Sequence, residues 1–339
     1  MKLTAFSRIL IVALILGAIF FGVKKFQPQL LESIKNNSET TQKQPPTGGN
    51  PSTGSAETQG GSSTKSTAPD NRPIFNYTAP EPVNGKIRGV VELGAAGFNS
   101  FIVNSDDSKR WKLEKSEFGS SLVHENMATD NDIRSGLKNY IAKMLDYGVK
   151  GKDIHFVVSS GAKNEPSVVK ISNNLKEMGY FVNEVTPEQE GTYALKCVMP
   201  QVLESESFVI DIGSGNTKIS YSNLGKVNAF ESYGSKYSQK GISDDQVYQD
   251  VRSKVRSIPS SNRKTCLIIG GIPFELAKQV RDGKERYTVL KTSSEYTPNG
   301  DKQRCGLNIY KAIADETGCK TFVFDWDANF TIGFLLGLK

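Results

Sequence analysis

The chain of 339 residues has few of the side chains that most often bind transition metals, with two histidines and four cysteines. The cysteines form no CxxC pair and no cluster with histidine, which argues against a zinc or iron–sulfur site. Cys305 and Cys319 could pair in an oxidising compartment, but spacing alone does not establish disulfide geometry. We therefore favour four half-buried thiols.

A strong charge of one sign is also missing, because the formal net charge is +6 and 23% of the residues are charged. Lys2, Arg8, Lys24 and Lys25 flank an N-terminal apolar run, so the remainder of the chain is only mildly basic. The sequence therefore does not indicate a nucleic-acid partner. With 37% hydrophobic residues, it indicates neither a disordered chain nor a multi-span membrane protein.

The N-terminal run, residues 9–23, reads ILIVALILGAIFFGV between basic residues. It is typical of a signal-peptide core or a short membrane span. No small-x-small cleavage site follows, so we favour an uncleaved, single-pass signal anchor at residues 1–26 in the inner (cell) membrane, over cleavage and over a buried core helix. Basic residues on both sides give little asymmetry, and we prefer an orientation with the soluble domain outside the cytoplasm.

Residues 27–84 are rich in Ser, Thr, Gln, Gly, Asn and Pro, as in TTQKQPPTGGNPSTGSAETQGGSSTKSTAP. Such a segment cannot bury enough apolar surface to fold, so we predict a disordered, flexible linker. After it, short apolar runs alternate with helical patterns, which predicts an α/β fold. We divide this part into lobe I, residues 85–205, and lobe II, residues 206–339.

The alternating pattern gives a specific set of elements. Strands are predicted at IRGVVEL, SFIVNS, DIHFVVSS, FVNEVT, both arms of SFVIDIGSGNTKISYS, KTCLIIGG and TFVFDWD. Helices are predicted at DNDIRSGLKNYIAKMLDYG, SVVKISNNLKEMGY, EQEGTYALKCVMPQVL, SDDQVYQDVRSKVRSI, PFELAKQVR, GLNIYKAIADETG and ANFTIGFLLGLK.

The two lobes begin with segments of the same outline, GVVELGAAGFNSFIVNS and SFVIDIGSGNTKISYS. Each places a glycine-rich turn after an acidic residue that ends an apolar strand, Glu92 in the first segment and Asp211 in the second. This repetition predicts an internal duplication, with two similar lobes facing each other across a cleft.

The segment DIGSGNTK, residues 211–218, carries the most specific chemistry. Its predicted hairpin presents backbone N–H groups and hydroxyls that can hold phosphate oxygens, and Asp211 can bind a divalent cation or a water. We expect Gly213 and Gly215 to provide positive φ at the turn. The predicted phosphate-binding residues of this segment are Gly213, Ser214, Gly215, Asn216 and Thr217.

The order of these motifs resembles the exopolyphosphatase and guanosine pentaphosphatase (Ppx/GppA) family of the actin-like ATPase superfamily. VIDIGSGNTKIS resembles the family's IDIGGGSTEL, ELG…NSFIV its DxGSNSF(R)L loop, FVVSSGAKNEPS its TSAxRxAxN segment and VTPEQEGTYAL its SGEEEARL helix. The resemblance runs from about Val90 to the C-terminus. It implies a two-lobed, RNase H-like fold, the actin-like ATPase fold.

The resemblance also implies a site between the loops. Asn99 and Ser100 would hold phosphate opposite the 213–217 segment, and a Mg²⁺ ion bound by Glu92 and Asp211 would neutralise charge on the phosphate oxygens.

The general base of the family's EEEAR segment falls at Glu190 or, in the neighbouring register, at Gln189. A carboxylate can accept a proton from an attacking water, whereas a glutamine cannot. The arginine of that segment is Thr192 here, and Lys163 replaces an arginine of the TSAxR segment, although Lys does not reproduce bidentate phosphate binding. These departures leave catalysis open.

Two further features follow buried strands. Gly270 and Gly271 open a helix, and in the superfamily a similar element packs against adenosine. They are candidates for nucleotide binding, and a tight strand-to-helix turn explains them equally well. Asp325 and Asp327 could reach the cleft, but we favour a solvated loop.

Three functions remain open from the sequence. The first is a membrane-anchored, exopolyphosphatase-like hydrolase that acts on polyphosphate or a related phosphate chain by water attack. The second is a catalytically inactive phosphate or nucleotide sensor or scaffold, and the third is an actin-like or chaperone-like ATP-binding module. A location outside the inner membrane offers little ATP and disfavours the third. Neither the substrate nor the oligomeric state follows from the sequence. A homodimer is one of the oligomeric states that the sequence leaves open.

Overall fold

The structure, a computed structural model, describes residues 72–94, 97–118 and 130–338. These residues belong to one unit that begins at Thr67. The predicted anchor at residues 9–23 and most of the predicted linker lie outside the described ranges. No helix within those ranges is long and apolar enough to cross a membrane.

The first lobe begins with a hairpin and continues into alternating strands and helices. Its elements are β1 (Lys86–Gly94), β2 (Gly97–Ser105), β3 (Trp111–Phe118), α1 (Asp130–Asp146), β4 (Ile154–Val158), α2 (Pro166–Glu177), β5 (Val182–Glu184) and α3 (Pro187–Val198). The sheet has the order β3-β2-β1-β4-β5, in which β1 pairs antiparallel with β2 and parallel with β4.

The second lobe follows the same plan. Its elements are β6 (Ser207–Ile212), β7 (Asn216–Asn223), β8 (Lys226–Tyr233), α4 (Asp244–Val255), β9 (Thr265–Ile269), α5 (Gly271–Lys278), β10 (Tyr287–Val289), α6 (Gly300–Thr317), β11 (Thr321–Asp325) and α7 (Phe330–Gly337). The sheet has the order β10-β11-β9-β6-β7-β8.

The two sheets repeat one topology. The order β3-β2-β1-β4-β5 of the first sheet recurs as β8-β7-β6-β9-β11 in the second, and β10 adds an antiparallel edge strand. This repeat confirms the duplication predicted from the two glycine turns. Three strands were not predicted, namely β3, β8 and β10. Most residues of β8 are only partly buried, so its sequence KVNAFESY lacks the apolar run that marks a central strand.

Helices α3 and α7 lie between the two sheets and pack against each other. Each packs on the sheet of the other lobe, α3 on β6, β7 and β8, and α7 on β1 and β2. Gly333 makes this contact close, because a Cβ there would lie 1.9 Å from the Tyr193 carbonyl oxygen. The apolar side chains around both helices come from both sheets, including Val90, Val157 and Leu267 at 0% exposure. A single apolar cluster therefore joins the lobes.

Residues 72–84, at the end of the predicted linker, form an extended segment that we call the strap. At its beginning the strap contacts the second lobe. Arg72 Nη1 donates to the carbonyl oxygens of Val280 at 3.0 Å and Val289 at 2.6 Å. The Phe75 ring packs edge-on against Tyr287, with the ring centroids 5.5 Å apart.

The end of the strap contacts the first lobe. The Val83 N–H donates to Asp106 Oδ2 at 2.9 Å, and Glu81 forms an ion pair with Lys112 at 3.0 Å. The strap thus bridges the two lobes immediately before β1 begins.

All four cysteines are free and buried. Burial raises the pKa of the Cys319 thiol to about 11, so that it stays protonated at neutral pH.

Candidate functional site

Two loops from different lobes meet at the carboxyl ends of β4 and β6. One is the turn after β4, residues 159–163, and the other is the glycine hairpin, residues 213–216. A Cβ on Gly215 would lie 3.2 Å from the Gly161 Cα, and Asn216 Nδ2 donates to Ser160 Oγ at 3.0 Å. The structure therefore brings together two of the segments singled out in the sequence.

The hairpin glycines permit a close approach of backbones. Neither Gly213 nor Gly215 has a positive φ, contrary to the expectation from the sequence. The turn closes with ordinary dihedral angles because the Gly213 N–H donates to the Asn216 carbonyl at 3.1 Å. At Gly215 a side chain would instead crowd Gly161 across the contact.

The segment after β8 holds the hairpin in place. The Ser235 N–H donates to the Gly213 carbonyl at 2.9 Å, and the Lys236 N–H donates to the Ser214 carbonyl at 3.1 Å. Gly234 lies so close that a Cβ there would be 2.3 Å from the Asn216 nitrogen and 2.5 Å from the Ser214 oxygen. Only glycine allows this approach, and it fixes the position of the hairpin.

The loop tips carry donors that suit an anion. In the part of the chain that the structure describes, the backbone N–H groups of Gly161, Ser214 and Gly215 donate to no protein acceptor. Gly161 and Gly215 are exposed, and an exposed Lys163 follows Gly161 by two residues. Consecutive free N–H groups beside a cation form an anion-binding concavity.

Glu190 approaches these loops from the first turn of α3. Thr186 caps the helix, and its backbone N–H donates to the side chain of Gln189 at 2.9 Å, while the Gln189 N–H donates to Thr186 Oγ1 at 3.2 Å. This capping box directs Gln189 to the exposed helix end. The next residue, Glu190, points inward and is 1% exposed. The residue that faces the loops is therefore the glutamate.

Both carboxylate oxygens of Glu190 are engaged by the protein. Oε1 lies 2.5 Å from Lys218 Nζ, and the two side chains are 1% and 5% exposed. Oε2 accepts from the Ser160 N–H at 3.0 Å and also from the Ser160 hydroxyl. The carboxylate thus holds three donors from two other elements.

Lys218 lies opposite Asp211 in the β6–β7 pair and forms its ion pair with Glu190, so the charges of both acidic side chains act on its ammonium. Burial alone would lower the pKa of Lys218, but the charges of Glu190 and Asp211 outweigh it and raise the pKa above its ordinary value. The ammonium therefore stays protonated at neutral pH. A buried ion pair persists when its geometry is good and its other polar atoms are bonded, and here the second carboxylate oxygen of Glu190 accepts from Ser160.

Glu92 and Asp211 complete the acidic cluster. Glu92 Oε2 accepts from the amides of Asn99 at 2.9 Å and Asn329 at 3.0 Å. Loss of hydration raises the pKa of Glu92 to about 6, although these hydrogen bonds act to lower it. Burial likewise raises the pKa of Asp211 to about 6, although the ammonium of Lys218 acts in the opposite direction.

These raised pKa values predict a pH effect on stability. Between about pH 4 and 6 the unfolded chain releases protons that folded Glu92 and Asp211 retain, so their contribution to stability is fully present below about pH 4 and lost as pH rises through about 6. We expect the decrease in the free energy of unfolding across this pH range to be about 2 kcal/mol smaller in Glu92→Gln than in the wild type. Urea unfolding of both proteins across the range measures it. Glu188→Gln, exposed on the same helix as Glu190, should parallel the wild type, and a Glu92→Gln curve parallel to the wild type would contradict the prediction.

Magnesium does not fit this cluster of side chains. Among the residues described, no three histidine, cysteine, aspartate or glutamate side chains lie where they could hold a metal ion together. The Lys218 ammonium already lies against Glu190, and its charge acts on the expected ligand Asp211. Two like unit charges about 4 Å apart repel each other by about 4 kcal/mol near a protein surface. A dication beside this ammonium is therefore strongly disfavoured.

Two predicted phosphate-binding residues lie away from the loop tips. Side chains alternate along β2, so Asn99 reaches Glu92 while Ser100 faces the other side and lines a recess with Tyr140. Thr217 is fully buried, and its hydroxyl donates to the Tyr233 carbonyl at 2.8 Å. Neither hydroxyl is directed at the contact between the loops.

Gly270 has a φ of 103° and lies beside the end of β6. A Cβ there would be 2.5 Å from the Ile212 oxygen and 2.7 Å from Asp211 Oδ1. Gly271 then begins α5. This geometry is the tight strand-to-helix turn that was one of the two explanations from the sequence.

Asp325 is not in a solvated loop, and that expectation was wrong. The side chain is 0% exposed and accepts two hydrogen bonds from Arg286, at 2.9 and 3.0 Å. The same guanidinium lies 4.3 Å from the ring centre of Trp111 in the first lobe. Asp327 is 3.6 Å from Arg286. These carboxylates fix the arginine between the lobes and do not take part in the loop contact.

Three side chains of the site, those of Ser160, Lys218 and Asn329, were not predicted as site residues from the sequence. For Lys218 a signal was available, since it stands where the family segment IDIGGGSTEL has its glutamate. Asn329 caps α7 and reaches Glu92 from the far end of the chain, so no local pattern marks it.

The duplicated sheets, the interposed helices and the facing loops define the actin-like ATPase fold. Within that class, solved structures of Ppx/GppA proteins match this chain. The Aquifex aeolicus PPX-GPPA enzyme aligns with a TM-score of 0.55 at 18% identity, over 75% of this chain and 100% of its own. An exopolyphosphatase from Cytophaga hutchinsonii aligns with a TM-score of 0.56 at 12% identity, over 75% and 99%.

The type II variant of the Aquifex aeolicus Ppx/GppA phosphatase also aligns, with a TM-score of 0.52 at 16% identity over 74% of this chain and 98% of its own. No protein-family model and no curated protein matches the sequence. The structural matches confirm the resemblance predicted from the sequence at the level of the fold.

Proposed function

We propose that the protein binds the phosphates of polyphosphate, or of a related phosphate chain, between the 159–163 turn and the 213–216 hairpin, and does not hydrolyse them. The observation that carries the proposal is the engagement of both Glu190 oxygens by Lys218 and Ser160. A general base needs a free lone pair directed at the water it deprotonates. Here three of the roughly four lone-pair sites of the Glu190 carboxylate are taken by an ammonium and by backbone and hydroxyl donors.

Phosphate binding is supported by the donors at the loop tips. The free N–H groups of Gly161, Ser214 and Gly215 come from two lobes that touch at this point, so one anionic group can bridge them. Lys163 and Lys236 lie on the segments that form and hold the loops, and neither forms an ion pair within the described residues. Their ammonium groups would neutralise part of the phosphate charge.

Hydrolysis by water attack, with Glu190 as base, is the second candidate. It is favoured by one observation, the inward direction of Glu190 from the start of α3, while Gln189 faces outward. It requires that ligand binding release the carboxylate from Lys218. A nucleotide-driven machine has less support, because Gly270 serves a backbone turn.

We also propose that residues 9–23 anchor the protein in a membrane, with the strap leading from the linker to the two lobes. Polyphosphate is a ligand that an anchored domain could meet on either side of the membrane. A reporter fused after Lys339 and active on only one side would identify that side.

The proposal is tested with full-length protein in detergent. Binding of polyphosphate, pyrophosphate and ATP is measured by calorimetry, and phosphate release from each is followed with Mg²⁺ present. We expect polyphosphate binding without release above background. Lys163→Ala combined with Lys236→Ala should weaken binding about tenfold, because two cations beside the loops are lost. Lys226→Ala, at the exposed start of β8, should bind like the wild type.

Two results would contradict the proposal in different ways. Phosphate release that disappears in Glu190→Gln but persists in Glu188→Gln would establish hydrolysis with Glu190 as base. Absence of binding to every phosphate compound would remove the phosphate-binding function itself.

A further inference from the structure

We infer that Lys218 serves as the built-in cation of this site, in the place of a divalent metal ion, so that phosphate binding does not depend on Mg²⁺. The inference rests on the proposed phosphate-binding function. It concerns the three carboxylates of Glu92, Glu190 and Asp211, which come from β1, α3 and β6.

The position of the Lys218 ammonium supports this inference. Lys218 Nζ lies 2.5 Å from Glu190 Oε1, and the register of β6 and β7 places Lys218 directly opposite Asp211. The side chain of Lys218 is 5% exposed, so its ammonium cannot swing into solvent without separating the elements around it. One positive charge is therefore held among the acidic side chains by the fold itself.

Two of the three carboxylates, those of Glu92 and Glu190, also have hydrogen-bond partners within the protein. Glu92 accepts from two side-chain amides, Asn99 and Asn329. Glu190 accepts from Lys218 and from two donors of Ser160. A Mg²⁺ ion needs carboxylate oxygens with free lone pairs in octahedral geometry. The bonded oxygens of Glu92 and Glu190 would have to give up an ammonium and several neutral donors first.

The charge of the residue at position 218 also supports the inference. With a glutamate there, as in the family segment, the site would contain four carboxylates and no internal cation, and a metal ion would be needed to hold them together. Lysine changes the charge of the cluster by two units. The substitution thus removes both a ligand and the need for a metal.

The experiment titrates full-length protein with Mg²⁺ and Mn²⁺ in the absence of phosphate and measures Tm. We expect the wild-type Tm to change by less than about 1 °C, and the Tm of Lys218→Glu to rise by several degrees, because a metal bound only by the folded state stabilises it. Lys226→Glu makes the same charge change on an exposed strand and should show no metal-dependent rise. If Lys218→Glu does not unfold cooperatively, Lys218→Gln replaces it, with the same expectation.

A second measurement compares the wild-type affinity for polyphosphate in EDTA with the affinity in Mg²⁺. Because polyphosphate itself binds Mg²⁺, the affinities for metal-free and for metal-bound polyphosphate are calculated separately. We expect the two affinities to agree within about twofold. A Mg²⁺-dependent rise in wild-type Tm, or binding about tenfold weaker in EDTA, would overturn the inference. If polyphosphate binds under neither condition, the proposed function fails, and the metal titration alone still decides the role of Lys218.

Discussion

Replacing Lys218 by methionine is expected to lower the free energy of unfolding by about 3–5 kcal/mol at neutral pH. Methionine has a similar volume and leaves no cavity, so the effect comes from charge. The substitution leaves Glu190, which is 1% exposed, without its cation. It also leaves Asp211 without the ammonium whose charge opposes the effect of burial on that carboxylate. Breaking one side of a buried pair costs more than the pair contributes.

The same reasoning predicts a rescue. In the double variant Lys218→Met with Glu190→Gln, the amide is neutral and can still accept from Ser160, so we expect at least half of the lost stability to return. Chemical denaturation of the two single variants and the double variant measures the coupling. Lys226→Met, on the exposed end of β8, should change stability by less than about 0.5 kcal/mol. A loss below about 1 kcal/mol in Lys218→Met would mean that the pair is solvated.

Gly234→Ala is expected to cost about 3 kcal/mol of stability and to abolish binding at the loop tips. The added methyl would lie 2.3 Å from the Asn216 nitrogen and 2.5 Å from the Ser214 oxygen, and these atoms belong to the backbone of the hairpin. Backbone cannot rotate away as a side chain does, so the hairpin must move as a whole. That movement breaks the hydrogen bonds from Ser235 and Lys236.

The control for this variant is Gly151→Ala, because a Cβ at Gly151 meets nothing within 4 Å. We expect its stability to stay within about 0.5 kcal/mol of the wild type. Calorimetric titration with polyphosphate then separates the two effects of Gly234→Ala. A variant that is destabilised but binds normally would show that the hairpin position does not matter for the ligand.

The sequence predicts the parts of this fold that local physics determines. Buried parallel strands such as β4 and β9 are short continuous apolar runs, and helices such as α2 show a 3.6-residue period, so both are visible without neighbours. The antiparallel edge strands are not, because β8 has only one buried residue and β10 has only three residues, and both depend on pairing partners elsewhere in the chain.

For the site, two side-chain placements, one left open and one misplaced in the prediction, follow from local rules that the sequence itself carries. Thr186 and Gln189 form the T-x-x-Q pattern of a capping box, which by itself assigns Gln189 to the helix end and turns Glu190 inward. The two-residue period of β2 likewise separates Ser100 from Asn99. In contrast, the contacts of Glu92 with Asn329 and of Asn216 with Ser160 join distant segments, and only the folded chain shows them.

The strap changes where the folded unit begins. A fragment starting at residue 85, the boundary suggested by composition, would expose the Tyr287 ring and remove donors from the carbonyls of Val280 and Val289. A fragment that includes Arg72 keeps them. Tension applied through the preceding chain would also reach the second lobe first, at Arg72, although β1 of the first lobe is the next strand in the sequence.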